Sequence, residues 1–359
     1  MTTGPTLGVE EEFLLLDPGT GQNAPVVEKV LAALPDAVRG QSRLEFRHSM
    51  LEMATPVCTG LADLTRQLTE LRRAAAEAAE EAGARLVAVG ATPIADPVRE
   101  PTDNARFHAI ARHYGPIAHD AAVCGCHVHV GVPDPETAVR VSNRLRPWLP
   151  VLQALTANSP FYAGADTGHA SWRSIQLRRW PALGPTPHFS SAEDYDRTVA
   201  ALVASGTMLD ESMILWYARP SATYPTVEIR VADVCPTVED AVLLAGLVRA
   251  LVVTVTEADG PEFRIPDHLL EAAHWNAAHT GLDTTLLDAR TGVPWPAWEL
   301  VGDLVELVTP ALRGLGDLEV VAAQLDRIRA EGTGAARQRR AFAEGGDIHA
   351  ALAQVTVNP

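Results

Sequence analysis

The segment CGCHVHVG, residues 124–131, alternates like a β-strand whose two faces differ in chemistry. Side chains along a strand point to opposite faces in turn, so one face carries Cys124, Cys126, Val128 and Val130, and the other carries Gly125, His127, His129 and Gly131. Buried cysteine behaves as a small hydrophobe, and C-x-C lacks the C-x-x-C spacing of a redox motif, so we expect the cysteines to pack in the core. The histidines lie between glycines that leave room for a ligand. From this strand alone, a metal site and a structural role both remain open.

A second segment, LGVEEEFLLLD (residues 7–17), places three consecutive glutamates inside an otherwise apolar strand. Glu10 and Glu12 share one face, whereas Glu11 points to the other face with Val9. Acidic side chains in a buried strand are unfavourable unless they are paired or bound to a cation. The segment therefore indicates either a cation site or an exposed edge strand with a solvated charged face.

A third segment, YPTVEIRVADVCP (residues 224–236), combines an apolar face with an acid and a base on the opposite face. Val227, Ile229 and Val231 form the apolar face, and Glu228 and Arg230 project together from the other. A structural ion pair and a functional site explain this pattern equally well.

A fourth segment, RLEFRHSMLEMATPVC (residues 43–58), again sets acids among apolar residues. Glu45 and Glu52 are seven positions apart, and an odd separation puts two side chains on opposite faces of a continuous strand. We therefore predict that the chain loops near residues 47–49 if both carboxylates face one site.

Taken together, the four segments predict a site rich in oxygen ligands. The candidate metal ligands are Glu10, Glu12, Glu45, Glu52, His127 and Glu228. This donor set suits Mg²⁺ or Mn²⁺ better than structural zinc, and hard divalent ions held by carboxylates commonly serve phosphates. Candidate clamps for phosphate or carboxylate groups are Arg173, Arg178, Arg179, Arg219 and Arg230. The only lysine, Lys29, has no glycine-rich loop before it, which excludes a Walker A loop. The residues thus favour a metal-dependent ATP enzyme without a phosphate loop.

Composition narrows the partners of the chain. The 359 residues are 47% hydrophobic and carry a formal net charge of −16, which argues against nucleic acid or an anionic membrane as a partner. The longest apolar stretch, residues 241–256, contains Arg249 and is shorter than the ~20 residues that span a bilayer, so we expect a buried helix. With four cysteines and no basic leader pattern, a cytoplasmic location is expected.

The periodicity of the chain predicts one α+β domain, residues 1–359, with a helical C-terminal portion. Strands are predicted at 7–16, 43–54, 85–91, 123–132, 213–218 and 226–234, and helices at 60–83, 134–157, 191–206, 237–257 and most of 297–354. Pattern alone leaves a parallel α/β sheet open as an alternative to an antiparallel one.

The same segments resemble the glutamate–cysteine ligase type 2 family, in its bacterial carboxylate–amine ligase branch, which has the glutamine synthetase catalytic fold. Further similar segments are NRLRPWLPVLQALTANSPF (143–161), DTGHASWRS (166–174), RWPALGP (179–185), residues 214–251 and GTGAARQRRAF (332–342). The resemblance implies a curved antiparallel six-stranded sheet flanked by helices. It also implies ATP-dependent amide formation, in which a substrate carboxylate is phosphorylated and an amine then displaces phosphate.

The resemblance also implies roles for individual residues. One metal would be held by Glu12, Glu45 and Glu52, and the other by Glu10, His127 and Glu228. His129 would lie near the ATP phosphates, Arg219 and Arg230 near the transferred phosphoryl group, and Arg173 and Arg337 at the substrate or nucleotide. The loops 158–190 and 257–296 are expected to act as lids that exclude water from an acyl phosphate.

The expected substrates are a small-molecule carboxylate, with the γ-carboxyl of glutamate as the leading candidate, and an amine whose identity stays open; a homodimer is compatible with the sequence. The chain departs from the family pattern at FRHSM (46–50) and at His169 and Trp172, changes expected to affect which substrate fits. Three rivals remain: a guanidino-type phosphotransferase, a nucleotide- or metal-binding protein without turnover, and a metallohydrolase with an open coordination position.

Overall fold

The computed structural model describes residues 4–258 and 264–359. Its strands are β1 (Leu7–Leu16), β2 (Ser42–Leu44), β3 (Met50–Ala54), β4 (Arg85–Val87), β5 (Gly125–Gly131), β6 (Phe161–Tyr162), β7 (Ala165–Asp166), β8 (Leu183–Gly184), β9 (Leu215–Trp216), β10 (Ala218–Pro220), β11 (Thr226–Asp233), β12 (Thr285–Asp288) and β13 (Val293–Pro296). The remaining chain is mostly helical.

The helices are α1 (Val27–Ala33), α2 (Asp36–Arg39), α3 (Leu61–Glu81), α4 (Ala105–Tyr114), α5 (Pro135–Leu145), α6 (Leu149–Leu155), α7 (Trp172–Leu177), α8 (Ala192–Ala204), α9 (Val238–Glu257), α10 (Asp267–Thr280), α11 (Ala297–Leu315), α12 (Leu318–Glu331), α13 (Gly334–Gly345) and α14 (Ile348–Ala353). Short 3₁₀ turns occupy Gly115–His119 and Glu211–Met213. Helices α11 to α14 occupy most of residues 297–353, as predicted.

One antiparallel sheet organises the molecule. Its strand order is β10-β11-β5-β1-β3-β2, and β4 pairs with the end of β1. All pairings within it are antiparallel, which confirms the antiparallel alternative over the parallel one. The predicted run 43–54 forms two strands, β2 and β3, so the sheet has seven strands in the described residues instead of six.

The apolar face of the sheet is covered by helices. Val9, Cys126, Val128 and Ile229 are buried in one core with side chains of α3, α6, α9 and α11. Helix α9 is buried along most of its length, and Arg249 within it donates hydrogen bonds to the carbonyls of Pro5 and Thr59. No helix among the described residues is long and apolar enough to cross a membrane. The apolar stretch 241–256 is therefore a buried helix, as predicted.

Several predicted elements differ in detail. The run 134–157 is broken into α5 and α6 near Pro147, and the run 213–218 divides between a 3₁₀ turn and the short strands β9 and β10. Helix α4 was not predicted; Asn104 caps it by accepting hydrogen bonds from the backbone of Arg106 and Phe107. In the predicted lid 257–296, residues 259–263 lie outside the described residues, and α10 and the β12–β13 hairpin form much of the rest.

Candidate active site

Strand register gathers the predicted acids and histidines on one face of the sheet. Glu12 lies opposite Glu52, and Glu10 lies opposite His127. Two residues further along β5, His129 lies opposite Glu228, which in turn lies opposite Arg219. Directly opposed residues have Cβ atoms about 4.5–5.5 Å apart, so these residues form three neighbouring rows of polar side chains across the strands.

The loop between β2 and β3 completes the first of two acidic groups. Glu45 follows β2, and the chain turns back through residues 46–49 before Glu52 on β3, as the parity of their spacing predicts. One carboxylate oxygen each from Glu12, Glu45 and Glu52 lies within 4.8 Å of the others. Burial, followed by the charges of Glu45, Glu10 and Glu12, raises the pKa of Glu52 well above its ordinary value. Burial likewise raises the pKa of Glu12.

Glu10 joins the two histidines. His127 Nδ1 lies 3.3 Å from Glu10 Oε2, and His129 Nε2 lies 3.4 Å from Glu10 Oε1. Although burial raises the pKa of Glu10, the two histidines outweigh it and hold that pKa far below its usual range. Ligand atoms of Glu10, His129 and Glu228 come within 4.8 Å of one another, whereas the sequence predicts His127 in this group. His127 Nδ1 is 3.9 Å from Glu228 Oε1, so both histidines border the second acidic group.

Two arginines hold Glu228. Arg219 Nε donates to Glu228 Oε2 at 2.8 Å, and Arg230 NH1 donates to Glu228 Oε1. Burial raises the pKa of Glu228, but Arg230 and Arg219 hold it below its ordinary range. The structural ion pair that the sequence left open is therefore present, and it lies beside Glu10 and His129, so a role of Glu228 in a functional site stays a prediction.

Arg173 reaches the same face from α7. It is buried, and its guanidinium lies over Gly125, where an added Cβ would be 2.4 Å from NH2. The glycine is required because any side chain there would displace the arginine. The backbone N–H of Gly125 donates to Glu12 Oε2 at 2.5 Å, so Arg173 stands beside the first acidic group.

The remaining arginine candidates lie elsewhere. Arg337 on α13 is ion-paired with Asp240 at 2.6 Å and is absent from the described lining of the cavity below. Arg179 pairs with Asp120, and neither Arg178 nor Arg179 is among that described lining. The structure therefore brings Arg173 and Arg230 to the predicted site and leaves Arg337 apart from it.

A cavity of about 320 Å³ is lined by the three glutamates of the first acidic group. The polar part of its lining includes Glu10, Glu12, Glu45, Glu52, His127, Arg173 and Arg230. The apolar part, or apolar wall, includes Phe46, Phe107, Ile110, Trp180 and Met213, which the sequence did not assign to the site. The signal that could have found part of this wall is the helical spacing of Phe107 and Ile110 after the capping residue Asn104.

The first acidic group fits a hard divalent cation. Two oxygens bound to one Mg²⁺ lie at most about 4.2 Å apart, and one oxygen each of the three carboxylates already lies within 4.8 Å of the others, so a small movement would let all three bind one ion. Burial in the first place, and then repulsion by the neighbouring carboxylates, raises the pKa of Glu52. A cation with oxygen preference would relieve that repulsion, so the donor set matches Mg²⁺ or Mn²⁺.

The sequence of the chain matches the model of glutamate-cysteine ligase family 2 over residues 6–354. The chain belongs to this family. A Salinispora arenicola protein named "Putative glutamate–cysteine ligase 2" is 64% identical over 338 residues, which cover 93% of this chain and 89% of that protein. A Mycobacterium sp. (strain KMS) protein named "Putative glutamate–cysteine ligase 2-2" is 50% identical over 353 residues, which cover 97% of this chain and 96% of that protein.

Solved structures share the fold at low sequence identity. Glutamate–cysteine ligase from Francisella tularensis, solved with AMP, superposes with a TM-score of 0.72 at 12% identity, covering 99% of this chain and 88% of that one. A bifunctional glutathione synthetase from Pasteurella multocida superposes with a TM-score of 0.70 at 15% identity, covering 98% of this chain and 52% of that one. Family membership confirms the predicted enzyme class, an ATP-dependent carboxylate–amine ligase, and the fold.

Proposed function

We propose that the protein joins the carboxylate of a small acid, with the γ-carboxyl of glutamate as the first candidate, to an amine at the expense of ATP. The observation that carries this proposal is the pair of acidic groups on one face of the sheet, of which the first group and Glu10 line one cavity together with Arg173 and Arg230. Phosphoryl transfer depends mainly on positioning and on neutralising charge at the phosphate oxygens, and this arrangement is suited to both.

The proposed reaction has two steps. A carboxylate oxygen of the acid attacks the γ-phosphorus of ATP, and the bond from that phosphorus to the bridging oxygen breaks to release ADP. The amine nitrogen then attacks the acyl carbon, phosphate leaves with its oxygen, and the nitrogen loses a proton. The apolar wall of the cavity would protect the acyl phosphate from water.

Metal ligands in this proposal are Glu12, Glu45 and Glu52 for one ion, and Glu10 and Glu228 with His127 or His129 for the other. Bound Mg²⁺ or Mn²⁺ neutralises charge on the phosphate oxygens. Arg230 lines the cavity and donates a hydrogen bond to Glu228, and it would stabilise the transferred phosphoryl group. Arg219 donates to the other oxygen of Glu228.

The test is release of ADP and phosphate with Mg²⁺ and ATP across a matrix of acids and amines, with mass spectrometry of the products. An amine-dependent release with a condensed amide product supports the proposal and names the substrates. A phosphorylated product without any amine requirement would replace it with a phosphotransferase. The Glu12→Gln variant is the control, because it retains side-chain size but removes one carboxylate from the first acidic group.

A further inference from the structure

A bulge in β11 places a buried acid, Asp233, on the face of the sheet that carries the candidate site. Regular alternation along the strand would put this residue on the opposite face. Ile229 pairs with Val128 and Ala232 pairs with Cys126, so β11 contains one extra residue between these two pairs. The extra residue reverses the alternation, and Asp233 therefore lies opposite Gly125, in the face that carries Glu228 and the histidines.

Asp233 is enclosed by donors from the loop that leads into α7. Its Oδ2 accepts hydrogen bonds from the backbone N–H of Asn158 at 2.9 Å and from the Ser159 hydroxyl at 2.7 Å. Its Oδ1 accepts from the Ser171 hydroxyl at 2.8 Å. Gly90 packs against it so closely that a Cβ there would lie 2.6 Å from Asp233 Cγ. The carboxylate is thus fixed from several sides.

These contacts determine where Arg173 stands. Ser171 caps α7, and the backbone N–H of Arg173 in the first turn donates to the Ser159 hydroxyl at 3.1 Å. Asp233 Oδ1 also lies 3.9 Å from Arg173 NH1, which is an ion-pair distance. Both the backbone and the charge of Arg173 are therefore tied to Asp233.

The guanidinium retains unused hydrogen-bonding capacity at the cavity. Arg173 Nε is buried and has no hydrogen-bond partner among the described residues. Among the described residues, the hydrogen bonds of its NH1 and NH2 are long, at 3.5 and 3.4 Å, and go to the carbonyls of Val231 and Arg230. An Nε–H beside a second N–H of the same guanidinium is the arrangement that binds two oxygens of one anion.

We propose that Asp233 is a positioning residue that holds Arg173 over Gly125 so that its free N–H groups bind an oxyanion in the cavity. The inference rests on the proposed function, in which two ligands supply such an anion: the carboxylate of the acid substrate and a phosphate of the nucleotide. Asp233 acts through Arg173 and does not itself line the cavity among the described residues.

The test measures the Kd of L-glutamate and of MgADP separately, by titration calorimetry, in the wild type, Asp233→Asn, Arg173→Lys and the double variant. We expect both single variants to weaken the binding of the same ligand, raising its Kd about tenfold, because a charged hydrogen bond is lost. The Kd of the other ligand should change by less than about twofold. The affected ligand identifies the anion. Because Asp233 acts through Arg173, the double variant should bind no more weakly than the weaker single variant.

A matched control is Asp317→Asn, since Asp317 is also a buried aspartate paired with an arginine, Arg249, but lies at the start of α12. The proposal would be overturned if the effects of the two substitutions add in the double variant, or if folded Asp233→Asn leaves both Kd values unchanged. It would also be overturned if Asp317→Asn weakens binding equally, or if the wild type binds neither L-glutamate nor MgADP. If Asp233→Asn does not fold, Ser171→Ala removes one of the hydrogen bonds to Asp233, and it should weaken the same ligand to a smaller degree. Binding without turnover for any acid and amine would reject the ligase reaction and leave the assignment of Arg173 intact.

Discussion

Three consecutive glutamates in β1 have three different surroundings. Glu10 meets two histidines, Glu12 meets two carboxylates, and Glu11, on the opposite face, is fully buried against Arg72. The guanidinium of Arg72 binds both oxygens of Glu11, at 2.9 and 2.5 Å. Alternation along the strand separates Glu11 from the other two, and the neighbouring strands give Glu10 and Glu12 different partners.

This difference predicts opposite outcomes for the same substitution. Glu12→Gln should lower turnover by at least about a hundredfold, with little effect on folding, because it removes charge from the proposed cation site. Glu11→Gln should lower the free energy of unfolding by about 3–5 kcal/mol, because it leaves a buried guanidinium without its counter-charge. Turnover per folded molecule and urea unfolding measure the two effects. A stable but inactive Glu11→Gln enzyme would contradict the division of roles.

At the residue scale, the sequence predicted most of the candidate site but missed Asp233. The acids and histidines could be predicted because polar side chains in apolar strands are conspicuous. Asp233 could not, because its position on the site face depends on the bulge between Ile229 and Ala232. A bulge leaves no periodic signal in the sequence.

Elements with their own strong pattern were well predicted, and those defined by tertiary contacts were not. Strand β1 and helix α9 coincide closely with the predicted ranges. The predicted strands 43–54 and 213–218 are each broken into shorter elements, because turns inside an apolar segment are determined by tertiary packing. Helix α4 is amphipathic, yet it is short and lies in a proline-rich region that favours a loop interpretation.

Strand β5 supplies a prediction about its apolar face. All four cysteines are buried free thiols. A side-chain hydrogen bond between Cys235 and Cys126, followed by burial, raises the pKa of Cys235 well above its ordinary value. Cys126→Ser places a hydroxyl among apolar side chains and should reduce the free energy of unfolding by about 1–3 kcal/mol. Urea unfolding measures the loss, and turnover per folded molecule should remain. A folded but inactive Cys126→Ser enzyme would reject the packing role.

Helices α6 and α10 meet at a buried histidine whose ionisation links stability to pH. His274 Nδ1 is 2.5 Å from Gln153 Oε1, and burial, assisted by Arg178, lowers the pKa of His274 to about 3. Since the unfolded chain binds the proton with an ordinary pKa of 6.5, the unfolded state takes up more protons as the pH falls below 6.5. Stability should then decline by up to about 1.4 kcal/mol per pH unit.

The measurement is the free energy of unfolding between about pH 5 and pH 6.5, for the wild type and His274→Gln. The variant should be less stable at neutral pH but should have a shallower acid dependence. Glu10 and Glu228, whose pKa values lie below the ordinary 4.5, lose their stabilising ionisation only at lower pH and do not enter this window. An equal slope in both proteins would contradict the assignment to His274.

At the scale of the whole molecule, the strand pattern could specify which side chains share a face but not which strands are neighbours. The pairing of Glu12 with Glu52 and of Glu10 with His127 joins segments far apart in the chain, and no local signal encodes it. The resemblance to the ligase family supplied the antiparallel arrangement that periodicity left open. The apolar wall of the cavity was missed for the same reason, since it is assembled from separate segments around Phe46, Phe107 and Met213.

If the two acidic groups bind divalent metal as proposed, the metal should stabilise the whole protein. The chain carries a net charge of −16, and its first acidic group brings half-buried carboxylates together, so a bound cation should favour the folded state. At a Mg²⁺ concentration a hundredfold above Kd, the gain is about 2.7 kcal/mol, which for a chain of this size raises the Tm by about 3 °C. Removal of the metal with EDTA should reverse the rise.

A rise in Tm with Mg²⁺ could also result from screening of surface charge. Two controls distinguish screening from binding at the first acidic group. NaCl at equal ionic strength screens the same net charge but does not supply a divalent ion, so it should give a smaller rise in Tm. Glu45→Gln removes one ligand of the first acidic group and should reduce the Mg²⁺-dependent rise while leaving the response to NaCl unchanged. If NaCl reproduces the full rise, or if Glu45→Gln responds to Mg²⁺ like the wild type, the metal assignment at this group is wrong, because only specific coordination requires both the divalent ion and that carboxylate.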